Sequence, residues 1–105
     1  MAKDDYFVIA YRLLKYLYDC LKKSKKPNMA VLDADFFGIE NEYWQYIIKN
    51  LFTDGYIEGV IQLDGGVMPR TDLCVTPKGI QYLEENSLFQ KIKGTVKDIA
   101  EIIPV

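Results

Sequence analysis

The apolar residues of this chain recur at a spacing that changes from helical to alternating and back to helical. Between Asp4 and Ser24 one stripe holds Val8, Tyr11, Leu14, Tyr18 and Leu21, while Phe7, Ile9, Leu13, Tyr16, Leu17 and Cys20 occupy others. A surface helix needs only one apolar stripe, so this pattern predicts a first helix packed on more than one side. Asp4 and Asp5 stand where the helix dipole favours negative charge, and Lys22 and Lys23 where it favours positive charge. Pro27 disfavours helical geometry at the residue before it, so Lys25-Lys26-Pro27-Asn28 reads as a loop, with a short extended piece at Ala30 to Leu32. Asp33 can cap a brief second helix through Phe37, and Gly38 supplies the sharp turn that follows. A third helix then runs from about Asn41 to Thr53, with Trp44, Ile47, Ile48, Leu51 and Phe52 as its core face.

From Tyr56 the pattern becomes near-alternating. Ile57, Ile61 and Leu63 are expected to share one face of a strand, with Glu58 and Gln62 on the other. Asp64-Gly65-Gly66 opens a loop continuing through Met68-Pro69, and Thr71 to Val75 returns as the hairpin partner with Leu73 and Val75 inward. Thr76-Pro77 is a strong start for a fourth helix, since threonine caps and proline fits the first helical position. That helix is expected to reach about Glu85, with Asn86 as terminator. A fifth, amphipathic helix follows from Ser87 to Ile103, carrying Leu88, Ile92, Val96, Ile99 and Ile103 on one stripe and weakened near its middle by Gly94.

Helix, short helix, turn, helix, hairpin, helix is the order of a winged helix: an α+β fold in which a helix-turn-helix carries a two-stranded wing, here with an additional C-terminal helix. The expected organisation is a single domain over residues 1–105, with a core at about 4–86 and the C-terminal helix at about 87–103. Two segments carry a family resemblance: Leu51-Phe52-x-x-Gly55-Tyr56-Ile57-x-Gly59, and Val75-Thr76-Pro77-Lys78-Gly79-Ile80-Gln81-Tyr82-Leu83-Glu84-Glu85-Asn86. Over roughly Val8 to Asn86 the chain resembles the YjcQ-like family of small proteins from Firmicutes and their prophages. The resemblance implies a winged-helix fold and a phage context.

Composition narrows the chemistry. With 105 residues, half of them apolar, the chain can bury one core without staples. Its two cysteines, Cys20 and Cys74, lie inside apolar stretches, which predicts buried thiols in a reducing compartment, the cytoplasm. Two acidic residues ahead of the first apolar run contradict the basic start of a secretory signal. Arg12, Lys15 and Asp19 break that run far short of the roughly 20 apolar residues a membrane span requires, so a soluble protein is expected.

The chain has no histidine, and with it lacks the commonest general base and metal ligand at neutral pH. Cysteines 54 positions apart fit none of the usual zinc spacings, and Gly65-Gly66 does not lead into a phosphate-binding helix start. The carboxylate pairs Asp4/Asp5, Asp33/Asp35, Glu40/Glu42 and Glu84/Glu85 are explained as helix-end or solvated-face charges. No catalytic residue, metal or cofactor is expected.

A winged helix commonly reads double-stranded DNA through its third helix, with the wing on the backbone. The outward positions of that helix are Tyr43, Gln45, Tyr46, Lys49 and Asn50, and Arg70 lies in the wing; glutamine and asparagine are the types that pair bidentately with adenine. Charge opposes this reading. Residues 1–26 hold seven basic and three acidic side chains, but Pro27 to Val75 holds two basic (Lys49, Arg70) and eight acidic ones. Acidity is therefore concentrated where DNA would dock, and each like charge facing a phosphate weakens binding. A dimer could also bring Lys22, Lys23, Lys25 and Lys26 to flanking phosphates, although as a helix C-terminus and a solvated loop they need no such role.

Two functional classes follow. The first is a non-enzymatic DNA-binding regulator, acting as a dimer. The second is a protein-interaction module whose acidic third helix and wing bind a partner protein. The apolar stripe Leu88, Ile92, Val96, Ile99, Ile103 has two possible covers: the first helix of its own chain, or a second copy in a homodimer.

Overall fold

Helix α1 (Tyr6–Lys22) is apolar around most of its circumference because it packs against three other elements: α3 (Asn41–Thr53), the second strand of the wing, and α4 (Pro77–Lys93). Ile9, Leu13, Leu14 and Leu17 are almost wholly enclosed and meet Ile47 and Ile48 of α3 and Ile57, Leu73 and Val75 of the wing in one core. Each such side chain contributes about 1.5–3 kcal/mol on leaving water. The computed structural model describes residues 4–93, with side chains through residue 86. Helix α2 is a single turn, Ala34–Phe37, and strands β1 (Ile57–Leu63) and β2 (Gly66–Val75) pair antiparallel.

The expected α+β order is present, as a winged-helix layout. Helix α3 has its anticipated bounds, and of its core face Trp44, Ile47, Ile48 and Leu51 are buried while Phe52 is half-buried. Helices α1, α2 and α3 end alike. Ser24, Gly38 and Gly55 each take a left-handed conformation (φ 56°, 69° and 83°). The next backbone N–H reaches back five residues: Lys25 to Cys20, Ile39 to Ala34 and Tyr56 to Leu51. This Schellman arrangement satisfies the orphan carbonyls of the last turn. Glycine advertises it at two of the three ends.

Four expectations are corrected. Ala30 to Leu32 is not extended. Val31 N donates to Asn28 O and Leu32 N to Met29 O, closing consecutive turns. They are held by Asn28, whose side-chain oxygen accepts from Ala30 N and whose own N–H donates to the Tyr16 hydroxyl.

The second strand does not wait until Thr71. Leu63 pairs with Gly66, so Asp64-Gly65 is a two-residue hairpin turn and β2 begins at once. Pro69 is accommodated opposite Val60, next to an irregularity where proline's missing N–H costs no ladder bond.

That irregularity overturns the third expectation, that Ile57, Ile61 and Leu63 share a face. The register runs Glu58 with Cys74 and then Val60 with Pro69, so Gly59 alone faces residues 70–73. Gly59 sits at φ 90°, and a Cβ there would lie 2.8 Å from Leu73 Cα. Only glycine allows the strands this close. Beyond it the alternation slips by one: Val60, Val67 and Pro69 turn inward, while Ile61, Leu63 and Met68 are left 40%, 54% and 51% exposed.

Helix four, finally, does not stop at Asn86. The Asn86 Nδ2 donates to Tyr82 O one turn back, which satisfies the side chain within the helix, and α4 continues to Lys93. Residues 87–93, assigned to a separate fifth helix, thus extend α4, and Leu88 and Ile92 lie on it. Val96, Ile99 and Ile103 of the expected stripe fall outside the described residues.

The start of α4 is as anticipated. Thr76 Oγ1 accepts from Gly79 N at 3.2 Å, capping the helix, and also donates to Gly55 O. Thr76 N donates to Tyr56 O and Lys78 Nζ to Asp54 O, so the root of the wing is tied on both sides to the end of α3.

Candidate interaction surface

Each residue expected to face a partner from α3 is placed by its own contacts. Tyr43 is half-buried, and its hydroxyl donates to Asp4 O at 2.7 Å, joining α3 to the entry of α1. Burial, and the charges of Asp4 and Asp5, raise its pKa. Gln45 does not project as a reader: its Oε1 accepts from Val67 N at 2.7 Å and so fastens the wing to α3. Gly66 makes room for that bond, since a Cβ there would stand 2.6 Å from the same oxygen. Asn50 Nδ2 donates to Tyr46 O, one turn back on its own helix.

Tyr46 and Lys49 remain outward. Tyr46 is 60% exposed, edge-on to Tyr6, which is itself edge-on to the exposed Phe7. Lys49 is exposed and makes no ion pair with a described residue. Arg70 is held on Asp72 in the wing, with Nε 3.3 Å from the carboxylate and both side chains more than half exposed. Helix α3 thus brings Tyr46 and Lys49 to solvent, but Gln45 and Asn50 are engaged within the molecule.

The acids around this surface are not neutralised. Asp33, Asp35, Glu40, Glu42, Asp54, Glu58 and Asp64 are exposed, and among the described residues none forms an ion pair. On the wing they border apolar side chains. Ile61 pairs across the hairpin with Met68, Leu63 stands beside the turn, Asp64 is in that turn, and Glu58 lies toward the root. The result is an exposed apolar strip with acidic ends. Alternation counted straight along β1 puts Ile61 and Leu63 in the core, and the signal that reverses it is Gly59.

The lysines at the end of α1 are elsewhere. Lys22 pairs with Asp19 at 3.4 Å and lies over the Tyr18 ring. Lys25 and Lys26 line a cleft of about 240 Å³ between that end of α1 and β2, where Cys20 and Cys74 also contribute. Both cysteines are free; Cys20 is buried and Cys74 half-buried. Burial pushes the Cys74 thiol pKa up, reinforced by Glu58 across the strand pair, which disfavours the reactive thiolate.

Among the described residues no cluster of three metal-ligating side chains forms, and no helix is long and apolar enough to cross a membrane. The family model for the YjcQ protein matches residues 11–102. The chain belongs to the YjcQ family. In this YjcQ-family chain the matched stretch includes α1 from Tyr11 onward, all of α3, the wing and α4, so the Gly59 irregularity and the Thr76 cap lie inside the family region. No curated protein and no solved structure matches it.

Proposed function

We propose that this YjcQ-family chain is a non-enzymatic protein-interaction module that binds a basic, amphipathic protein segment on its acidic α3 and wing surface. The observation that carries this reading is the outer strip of the wing, where Ile61, Leu63 and Met68 stand in solvent between Glu58 and Asp64. Apolar groups supply affinity and the surrounding carboxylates supply sign selectivity and encounter rate. The setting is a reducing compartment, in which Cys20 and Cys74 stay thiols.

A second reading, binding of double-stranded DNA, is favoured by the winged-helix order and by the free outward Lys49. It is opposed by the engagement of Gln45 with Val67 N and of Asn50 with Tyr46 O, and by the unneutralised carboxylates.

One titration separates the two. The full chain is titrated with a fluorescent lysine- and leucine-rich helical peptide and, separately, with mixed-sequence duplex DNA, each at low and moderate salt. The interaction reading expects saturable peptide binding that is reduced by Leu63→Asp and by Glu58→Lys. Duplex binding that falls steeply with salt and is weakened by Lys49→Glu, with no peptide binding, would establish the DNA reading instead. Sedimentation of the same samples at tens of micromolar reads whether the chain acts as one copy or two.

A further inference from the structure

Two charged side chains of the described chain are buried, Arg12 and Asp19, both on α1. Asp19 is accounted for. Its carboxylate accepts from Lys15 at 2.9 Å and 3.0 Å and pairs with Lys22. Arg12 has no such partner among the described residues. It is 5% exposed, its Nε is the buried side-chain polar atom without a hydrogen bond among the described residues, and it forms no ion pair with them. Burial alone lowers its pKa, with no carboxylate acting in the opposite direction. Asp33 and Asp35, which flank and begin the neighbouring α2, point their charges into solvent.

What Arg12 does have is an aromatic bed. Its guanidinium carbon lies 4.8 Å from the centroid of the Phe37 ring, and Phe37 is stacked on Trp44 at 5.3 Å and 22°. Trp44, Phe37 and Arg12 form one column through α3, α2 and α1. A cation–π contact returns part of what it costs to bury a charge, but it satisfies none of the guanidinium's N–H donors. An apolar side chain of similar length would fill the same place without that cost. The column holds the guanidinium over Phe37, and among the described residues no carboxylate fills a fork whose geometry suits an oxyanion.

We propose that Arg12 anchors an oxyanion site at the junction of α1 and α2, its guanidinium held over the Phe37 ring and its N–H donors available to a carboxylate or a phosphate. The site is separate from the wing surface and does not depend on how that surface is used. Its residual exposure is the entry route. Phe37 is a positioning residue, since it holds the guanidinium and donates nothing to the anion.

The test uses the intact chain labelled with ¹⁵N. It has two arginines, Arg12 and Arg70, so their Nε–Hε cross-peaks are assigned with an Arg70→Gln variant. Acetate and inorganic phosphate are titrated separately at constant ionic strength, with chloride as the balancing anion. The expected result is a saturable shift of the Arg12 peak in at least one arm, with the Arg70 peak unmoved and Tm rising along the same curve. Response to acetate alone marks a carboxylate site, and response to phosphate alone marks a phosphate site. Arg12→Lys keeps the charge and loses the fork, and should weaken the apparent affinity by about tenfold or more. Arg12→Met should raise Tm in chloride and remove its dependence on the oxyanion. No saturable Arg12 shift in either arm overturns the proposal, as does an oxyanion-dependent Tm that persists undiminished in Arg12→Lys.

Discussion

Eleven of the 17 residues of α1 are buried, and two of those eleven, Arg12 and Asp19, carry charge. The outer half of the wing is the reverse case, where Ile61, Leu63 and Met68 are apolar and stand in water. Helix α1 is enclosed on several sides and so encloses whatever its sequence supplies, polar groups included. The wing is held by its inner face only, and beyond Gly59 that face is made by Val60, Val67 and Pro69 instead of the residues a simple alternation selects. These two regions depart from apolar-inside, polar-outside ordering for opposite reasons. Both departures bear on binding: among the described residues, one leaves a buried guanidinium Nε without a hydrogen-bonding partner and the other an apolar strip in solvent.

The widest separation between the two regions should appear on truncating one leucine in each. Leu14→Ala, in the enclosed helix, is expected to cost about 2–5 kcal/mol in urea denaturation, whereas Leu63→Ala at the wing tip should stay within about 0.5 kcal/mol. A comparable loss at both positions would mean that the outer wing face is covered. The next effect tests why the wing strip faces outward at all. Gly59→Ala puts a Cβ against the Leu73 backbone at a left-handed position, and a loss of about 1–3 kcal/mol is expected. Amide exchange should accelerate in β1 and β2 while α1 keeps its protection. Acceleration spread evenly over α1 and the wing would show the two to be one cooperative unit.

The smallest effect is in alkaline pH. Tyr82, packed against Tyr56 beneath the root of the wing, has its pKa pushed up to about 12 by burial, reinforced by Tyr56 and Tyr6. An unfolded tyrosine titrates near 10, so the folded chain holds this proton more tightly. That contribution is complete below about pH 10 and is lost as pH rises toward 12. Melting temperature should fall across this window, and Tyr82→Phe should flatten the fall. An unchanged slope in that variant would assign the loss to other groups.

Much of the fold was legible because local signals agreed with the final packing. Asn41 to Thr53 had one clean apolar stripe, a turn glycine before it and Asp54-Gly55 after it, and Thr76-Pro77 combined a cap with a residue suited to the first helical turn. The family was legible in the same places, in the turn at Gly55-Tyr56 and the start of α4. Legibility failed where a contact across the chain decided the outcome. The slip at Gly59 depends on how β2 passes it, and a lone glycine in a strand carries no register. Asn86 has the residue type of a terminator, yet its amide bonds within its own helix and lets α4 run on. Gln45 has the chemistry of a base reader, but Val67 N lies within its reach. Arg12 looked like an interruption of an apolar run, and nothing in its neighbours along the chain shows that Phe37 and Trp44 stack beneath it.

The bonds around Thr76 give the wing a mechanical character. Thr76 to Gly55 and Tyr56, and Lys78 to Asp54, clamp the hairpin's root to the end of α3, while Gln45 holds Val67, one residue past the pair Leu63–Gly66 that closes the turn. The hairpin is a beam fixed at its base and strutted just short of its tip. A load on the apolar tip, such as a docked partner, would be carried through Gln45 into the shaft of α3.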